Sequence, residues 1–295
     1  GISYHRSIFI PKAPPYFALR NTLPAVLTMK VPAYMGYRPE DYLTPHARFF
    51  ADVQPPLPEP ARLALDKGAL PAGALPPPER AAELLQAGYW PFETGYTLEP
   101  DGSQHVAVLT RMPGVQPTMW HWWFGWHGNL ASRYKLWHPK AHRDARWADG
   151  EGDLGRYIGR TSLIEEYIGA SMEKAAIRFI PPAELGLPEA NEAIVCICAR
   201  VGYSRYPIDF GWLVHELRAI PGGAEMRSRF WMGGRYIQLR KKGRLAALAS
   251  SILQKTIRLP EKQARELLTH CAEEMNHLAS FLPALYSEFH PGVQS

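Results

Sequence analysis

The segment Leu259–Phe281, LPEKQARELLTHCAEEMNHLASF, decides how this chain folds. Pro260 and Glu261 open it as a helix: proline suits the first helical position, where its missing N–H is not needed, and an early carboxylate complements the helix N-terminus. Leu267, Leu268, Cys271, Met275, Leu278 and Leu282 recur at helical spacing and form one apolar stripe. At 100° per residue His270 and Glu274 fall on the edge of that stripe, one turn apart on one face. Glu273 lies further round toward solvent, and His277 sits on the side of His270 two turns on.

Upstream of this helix, strand signals dominate from Gly88 onward. Thr94–Leu98, His105–Arg111, Trp120–Trp126, Ser162–Ile168, Lys174–Ile180, Ile194–Val201, Gly211–Ala219 and Glu225–Trp231 are short, rich in β-branched or aromatic residues, and bounded by Gly or Pro. Pro221-Gly222-Gly223 reads as a hairpin loop between two of them. Arg244–Lys255 reads as a helix. Strands followed by a long terminal helix predict an α+β fold, with an antiparallel sheet wrapped around that helix. Residues 1 to about 50 are irregular, with short extended pieces expected at Ser7–Ile10 and Ala25–Val31. Gln54–Pro78 is dense in proline, which forbids long helices and marks a linker or arm; a short helix fits at Pro60–Lys67 and a better one at Pro78–Gln86. The expected division is a Pro-rich arm over 1–87 and a body over 88–295.

With 295 residues, 46% hydrophobic and 21% charged, the chain can bury a sizeable core. No run approaches the roughly 20 apolar residues of a membrane span; the longest, Ala193–Ala199, reads as a buried strand. The start, GISYHRSIFIPK, lacks the apolar stretch of a signal peptide. Cys196, Cys198 and Cys271 form no CxxC pair, so free thiols in a reducing cytoplasm are expected. The net charge of +5 is dispersed. The densest basic run, Arg235–Arg244, reads as a solvated helix start, and the aromatic residues are not interleaved with Lys and Arg, so neither nucleic acid nor membrane is an expected partner.

Two distant stretches carry the chemistry. Met119–His127 (MWHWWFGWH) packs four Trp and one Phe into nine residues and closes on a histidine. His270–His277 (HCAEEMNH) offers the HxxxE pair. A ligand pair on a helix beside an aromatic-walled strand suggests an enzyme that grips an aromatic substrate over a metal. Trp123 and Trp126 are expected in the pocket wall. Ile164-Glu165-Glu166-Tyr167-Ile168 places two carboxylates in an apolar strand; successive side chains face opposite ways, so one of Glu165 and Glu166 points inward and needs a partner such as a metal. A set of two His and two Glu suits zinc, and after it iron or manganese. His215 is a candidate general acid or base. Asn129, Tyr134, Arg227 and Tyr236 are candidate contacts for ring hydroxyls or a phenolate. His138 and His142, four apart, resemble a ligand pair, but Arg143, Asp144 and Arg146 after them read as a polar loop or helix.

Six blocks then appear in order: WWFGWHG (122–128), RYKLWHPKAH (133–142), RYIGRTSLIEEYIG (156–169), GWLVHELR (211–218), EMRSRFWMGG (225–234) and HCAEEMNHLASFLP (270–283). Together they resemble the 2,4-diacetylphloroglucinol hydrolase family, which includes phloretin hydrolase, over roughly residues 88–285. The resemblance implies a zinc-dependent hydrolase that cuts the carbon–carbon bond between an acyl group and a phloroglucinol ring; because an aryl carbanion cannot leave, a retro-Claisen route through the keto tautomer is expected. It implies a helix-grip body, as in pollen-allergen and START folds, and a smaller N-terminal region that forms a homodimer. It also implies one zinc per chain on His127, Glu166, His270 and Glu274; Glu166 and His215 are the candidate catalytic residues. A non-catalytic helix-grip protein that carries an aromatic, polyketide-like ligand is the competing expectation.

Overall fold

A computed structural model describes residues 36–293. Its centre is an antiparallel sheet of nine strands: β1 (Gly95–Leu98), β2 (Ser103–Pro113), β3 (His142–Trp147), β4 (Thr161–Ile168), β5 (Ser171–Ile180), β6 (Ile194–Tyr203), β7 (Ile208–Ile220), β8 (Gly223–Gly233) and β9 (Gln238–Leu239). The order across the sheet is β1-β2-β8-β7-β6-β5-β4-β3, with β9 on β7. The helices are α1 (Glu59–Lys67), α2 (Pro117–Trp126), α3 (Ala131–Trp137), α4 (Arg244–Thr256) and α5 (Glu261–Phe289). At 1.5 Å per residue, α5 is about 43 Å long and packs across the sheet from β2 and β1 to β4. This is the helix-grip arrangement expected from the sequence.

Strand alternation gives the sheet two different faces. On the inner face Ile197, Leu213, Met226 and Phe230 join Leu268, Cys271, Met275 and Leu278 of α5 in the main core. On the outer face Cys196, Cys198, Val214 and Trp231 meet Ala81 and Leu84 from the 3₁₀ segment Pro78–Leu85. The proline-rich stretch therefore lies on the body: α1 places Ala61 in the main core, and the Trp231 indole donates to the Pro76 carbonyl at 2.9 Å. The extended pieces expected at Ser7–Ile10 and Ala25–Val31 lie outside the described residues.

Three sequence expectations change. Trp120–Trp126 is the helix α2, not a strand. Pro117 starts it, and Trp120, Trp123, Phe124 and His127, at i, i+3, i+4 and i+7, are all buried, so helical packing overrides the strand preference of aromatic residues. The last helix continues past Phe281 through Pro283, because Leu282 and Leu285 are fully buried and hold the chain in register beyond the proline. The basic run 235–244 is a 3₁₀ turn and β9, with a helix only from Arg244. Arg240 donates to Asp209 at 2.9 Å and Arg235 to Glu79 at 3.1 Å, so these cations are engaged within the fold. No helix among the described residues is long and apolar enough to cross a membrane.

Burial sets the expected response to truncation. Leu278 is fully buried between α5 and the sheet, whereas Leu248 on α4 is 61% exposed. Leu278→Ala is expected to destabilise the fold by about 2–5 kcal/mol, and Leu248→Ala by less than about 0.5 kcal/mol. Urea unfolding with a chelator present checks both without a contribution from bound metal.

Candidate metal centre

The helical spacing of α5 brings His270 and Glu274 to the inner face opposite β4. There β4 presents Ser162, Ile164, Glu166 and Ile168 by alternation. Glu165 points the other way and pairs with Lys174 at 2.7 Å, so the inward carboxylate is Glu166. On β3, His142 lies directly across from Glu166, and the register shifts between His142 and Asp144. That bulge turns His142 inward although the residues after it are polar.

Four atoms converge. His142 Nε2 is 3.4 Å from His270 Nε2, 3.3 Å from Glu166 Oε2 and 3.4 Å from Glu274 Oε2. His270 Nε2 is 3.6 Å from both Glu166 Oε2 and Glu274 Oε2. Nitrogen and oxygen ligands about 2.0–2.2 Å from one tetrahedral ion stand about 3.3–3.6 Å apart, which is the observed range. His142, Glu166 and His270 form a buried group suited to a metal ion, and Glu274 adds a fourth donor. The supporting bonds orient them. His142 Nδ1 lies 3.0 Å from the Tyr134 carbonyl, which places its proton there and its free lone pair on Nε2. The Tyr134 hydroxyl donates to Glu166 Oε2 at 2.5 Å, and its ring stacks on His142 at 3.8 Å.

Electrostatics point the same way. Burial, reinforced by His270, keeps His142 neutral far below the usual imidazole range. Burial also pulls on His270, but Glu166 and then Glu274 outweigh it and lift its pKa to about 9. Burial, with Glu166 in support, pushes Glu274 to about 8. Burial raises Glu166 too, but His270 and the Tyr134 bond overcome it and leave the carboxyl below its ordinary value. At neutral pH the bare set is thus balanced by protons on His270 and Glu274. A divalent ion would replace both, which is the compensation that two buried carboxylates require.

The remaining candidates separate. His127 is corrected: at the end of a helix instead of a strand, it points Nδ1 at the Trp123 carbonyl at 2.8 Å and stacks on Trp123. It lines the cavity beside the metal group but is not among the converging atoms; His142 takes that position. Tyr134 and His215 line the same cavity, with Phe124, Trp137, Phe179 and Phe230 as its aromatic wall. His215 Nδ1 is 2.8 Å from Ser228 Oγ, and burial lowers its pKa to about 3. Trp123 packs against Phe281 and Trp126 against Phe289, so neither forms the pocket wall. Asn129 lies in the 3₁₀ turn His127–Asn129, outside that wall. Arg227 and Tyr236 are on the outer face: Arg227 pairs with Glu93 at 2.6 Å and Glu216 at 3.3 Å, and the Tyr236 hydroxyl meets His105 Nε2 at 3.1 Å. On β8 the inward residues are Ser228 and Phe230, one position away from the arginines. Glu273, expected toward solvent, lies 3.1 Å from His138 Nε2, and the His138 ring faces His270 at 4.8 Å.

Comparison with known proteins identifies the family. The family described as DAPG hydrolase PhiG domain matches residues 75–287. A 2,4-diacetylphloroglucinol hydrolase of Pseudomonas sp is 31% identical over 264 residues, which cover 83% of this chain and 88% of that protein. A protein of the same name from Pseudomonas protegens is 30% identical, covering 83% and 84%. Phloretin hydrolase of Eubacterium ramulus is 28% identical over 208 residues, covering 66% and 71%. Among solved structures, Ara h 8.0201 aligns with 62% of this chain and 99% of its own at 11% identity and a TM-score of 0.39. The chain belongs to the DAPG hydrolase family and is a hydrolase.

Two measurements separate the histidines. His142→Ala is expected to lower metal affinity at least about 100-fold, and His127→Ala less than about tenfold, read by elemental analysis after dialysis. Because metal and protons compete for His270 and Glu274, uptake should release protons near neutral pH, and affinity should fall on acidification. Chelator competition at pH 8 and pH 6 checks the sign; equal affinity at both would contradict the assignment.

Proposed function

We propose that this protein is a zinc-dependent hydrolase that cleaves the carbon–carbon bond between an acyl group and a phloroglucinol-type ring, releasing the deacylated phenol and a carboxylic acid. His142, Glu166, His270 and Glu274 would hold the ion, which supplies Lewis acidity toward the acyl carbonyl. The observation that carries the reading is one aromatic-walled cavity lined by Glu166, His270 and Glu274 of the two-His, two-Glu set and by His215, in a chain whose named relatives are hydrolases of 2,4-diacetylphloroglucinol and of phloretin.

The chain's residues supply the rest. An acylphloroglucinol cannot simply lose its acyl group, because the leaving group would be an aryl carbanion. Protonation of the acyl-bearing ring carbon converts the ring to a keto tautomer. Water adds to the acyl carbonyl, the carbon–carbon bond breaks, and the electron pair leaves on a stabilised enolate. His215 is suited to shuttle that proton: burial keeps the imidazole neutral, so Nε2, left for the cavity by the contact of Nδ1 with Ser228, takes the proton of a ring hydroxyl and returns it to the ring carbon. Glu166 is the carboxylate placed to accept the proton of the attacking water, with Tyr134 holding it in orientation. Phe124, Trp137 and Phe179 enclose the ring and exclude bulk water.

We also propose a cytoplasmic homodimer in which the N-terminal region, residues 1–87, contributes the contact. In support, the three cysteines are unpaired and buried, and Tyr42, Leu43 and Val53 are exposed. Light scattering at working concentration should give twice the chain mass, and a monomer mass would remove this part.

His215→Gln is expected to lower kcat about 10²–10⁴-fold while bound zinc stays constant. Acetate release from 2,4-diacetylphloroglucinol, followed by chromatography, is the assay. The analogue with its flanking hydroxyls methylated cannot form the keto tautomer and should be inert. Equal turnover of both compounds would exclude the retro-Claisen route.

A further inference from the structure

Resting on the reading that the cavity takes an acylphloroglucinol, we propose that the inner face carries a separate apolar subsite for the acyl chain, and that the preferred acyl group is several carbons longer than acetyl. A second cavity adjoins the first and shares Glu166, Ile177, Leu213, Phe230 and Leu267 with it. Beyond those shared walls the two differ in chemistry. The first adds His127, Ser162 and His215 among aromatic rings, so ring hydroxyls find partners there. The second adds Ile168, Ala175, Val201, Phe210 and Met232, with Glu173 and Gln263 as its only further polar walls.

Of the metal group, Glu166 lines both cavities, while His270 and Glu274 line the first, so the group borders the junction from the ring side. At about 3.3 Å per residue, β4 extends about 13 Å from Glu166 to Ser162 on the ring side and about 7 Å from Glu166 to Ile168 on the other. A carbonyl held at the metal group with its ring toward His215 directs its other substituent along the second cavity. An acetyl methyl ends about 1.5 Å beyond the carbonyl carbon. It leaves about 5 Å of apolar wall without contact, on Ile168, Ala175 and Val201. A chain of four further carbons spans that distance, and each buried methylene is worth a factor of about three to four in affinity.

The test uses the full-length zinc protein and two series that differ only in chain length. For phloroglucinols acylated with acetyl, butanoyl or hexanoyl groups, kcat/KM is expected to rise at least about tenfold from acetyl to hexanoyl. Ethyl- and hexylphloroglucinol have no carbonyl to cleave, so their Kd reports the subsite alone; hexyl is expected to bind at least about tenfold tighter, read by tryptophan fluorescence through Trp137 in the cavity wall. Ala175→Phe, which fills only the second cavity, should reduce the hexanoyl-to-acetyl ratio at least about tenfold. If that variant does not fold, the two series on the unaltered protein still decide. Turnover of acetyl and hexanoyl compounds at equal kcat/KM, with equal Kd for ethyl and hexyl, would overturn the subsite and leave the hydrolase reading intact. Tighter hexyl binding without turnover of any acylphloroglucinol would support the subsite and remove the hydrolase reading instead.

Discussion

Two carboxylates and two imidazoles share an enclosed space where α5 faces β3 and β4, and the inner half of the molecule is arranged around the need to neutralise them. His142, His270 and Glu274 are buried and Glu166 nearly so, and their facing atoms lie within 3.3–3.6 Å of a neighbour. Removing isolated carboxylates from water is unfavourable by many kcal/mol unless charge or hydrogen bonds replace the solvent. The position of α5 is therefore doubly determined. Its apolar stripe fixes which face meets the sheet, and the ligand pair at the stripe's edge fixes how far along the sheet it sits.

The outer face solves a similar problem with side chains alone. Arg227 and Arg229 are fully enclosed, and both reach Glu93; Arg227 also approaches Glu216, whose pKa burial pushes to about 7. Arg218 pairs with Glu225 at 2.6 Å. Breaking such a pair leaves a buried charge without compensation and costs about 3–5 kcal/mol. The segment around Tyr89, Trp90 and Glu93 is thereby fastened to β7 and β8. The two faces divide the work: aromatic residues and ligands inside, ion pairs outside.

What the sequence revealed follows from which periodicities are local. The HxxxE pair was legible because helix geometry alone puts residues four apart on one face. The choice of Glu166 over Glu165 was not legible from alternation, since alternation gives two faces and does not say which is the core; the lysine opposite Glu165 settles it. The same ambiguity misplaced Arg227. As the strand neighbour of Ser228 it stands one residue from the cavity, but on the face that residues 84–93 cover, and nothing near it in sequence announces that cover. Trp120, Trp123, Phe124 and His127 did carry a helical period, masked by the high strand preference of aromatic residues. His142 was hidden most deeply. Its inward turn depends on a bulge and on pairing with a strand 24 residues away, and the polar residues that follow it suggest solvent.

Tyr134 shows how little of this centre is built by its ligands alone. One residue accepts from His142 through its carbonyl, covers the same ring with its own, and donates to Glu166 through its hydroxyl. It sits on α3, a helix of seven residues, too short to be stable by itself. The N-terminal segment holds that helix. Asp41 and Lys135 form a buried ion pair at 2.6 Å, His46 meets Ser132 at 3.0 Å, and Gln54 meets His138 at 3.2 Å. His138 in turn stacks on His270 and reaches Glu273. A continuous set of contacts thus runs from residues 41–54, which include the 3₁₀ turn Ala47–Phe49, through α3 to three of the four converging side chains. Segments that read in sequence as an arm are, by these contacts, part of what orients the centre, and the precision of His142, Glu166 and His270 depends on a region that contributes no ligand.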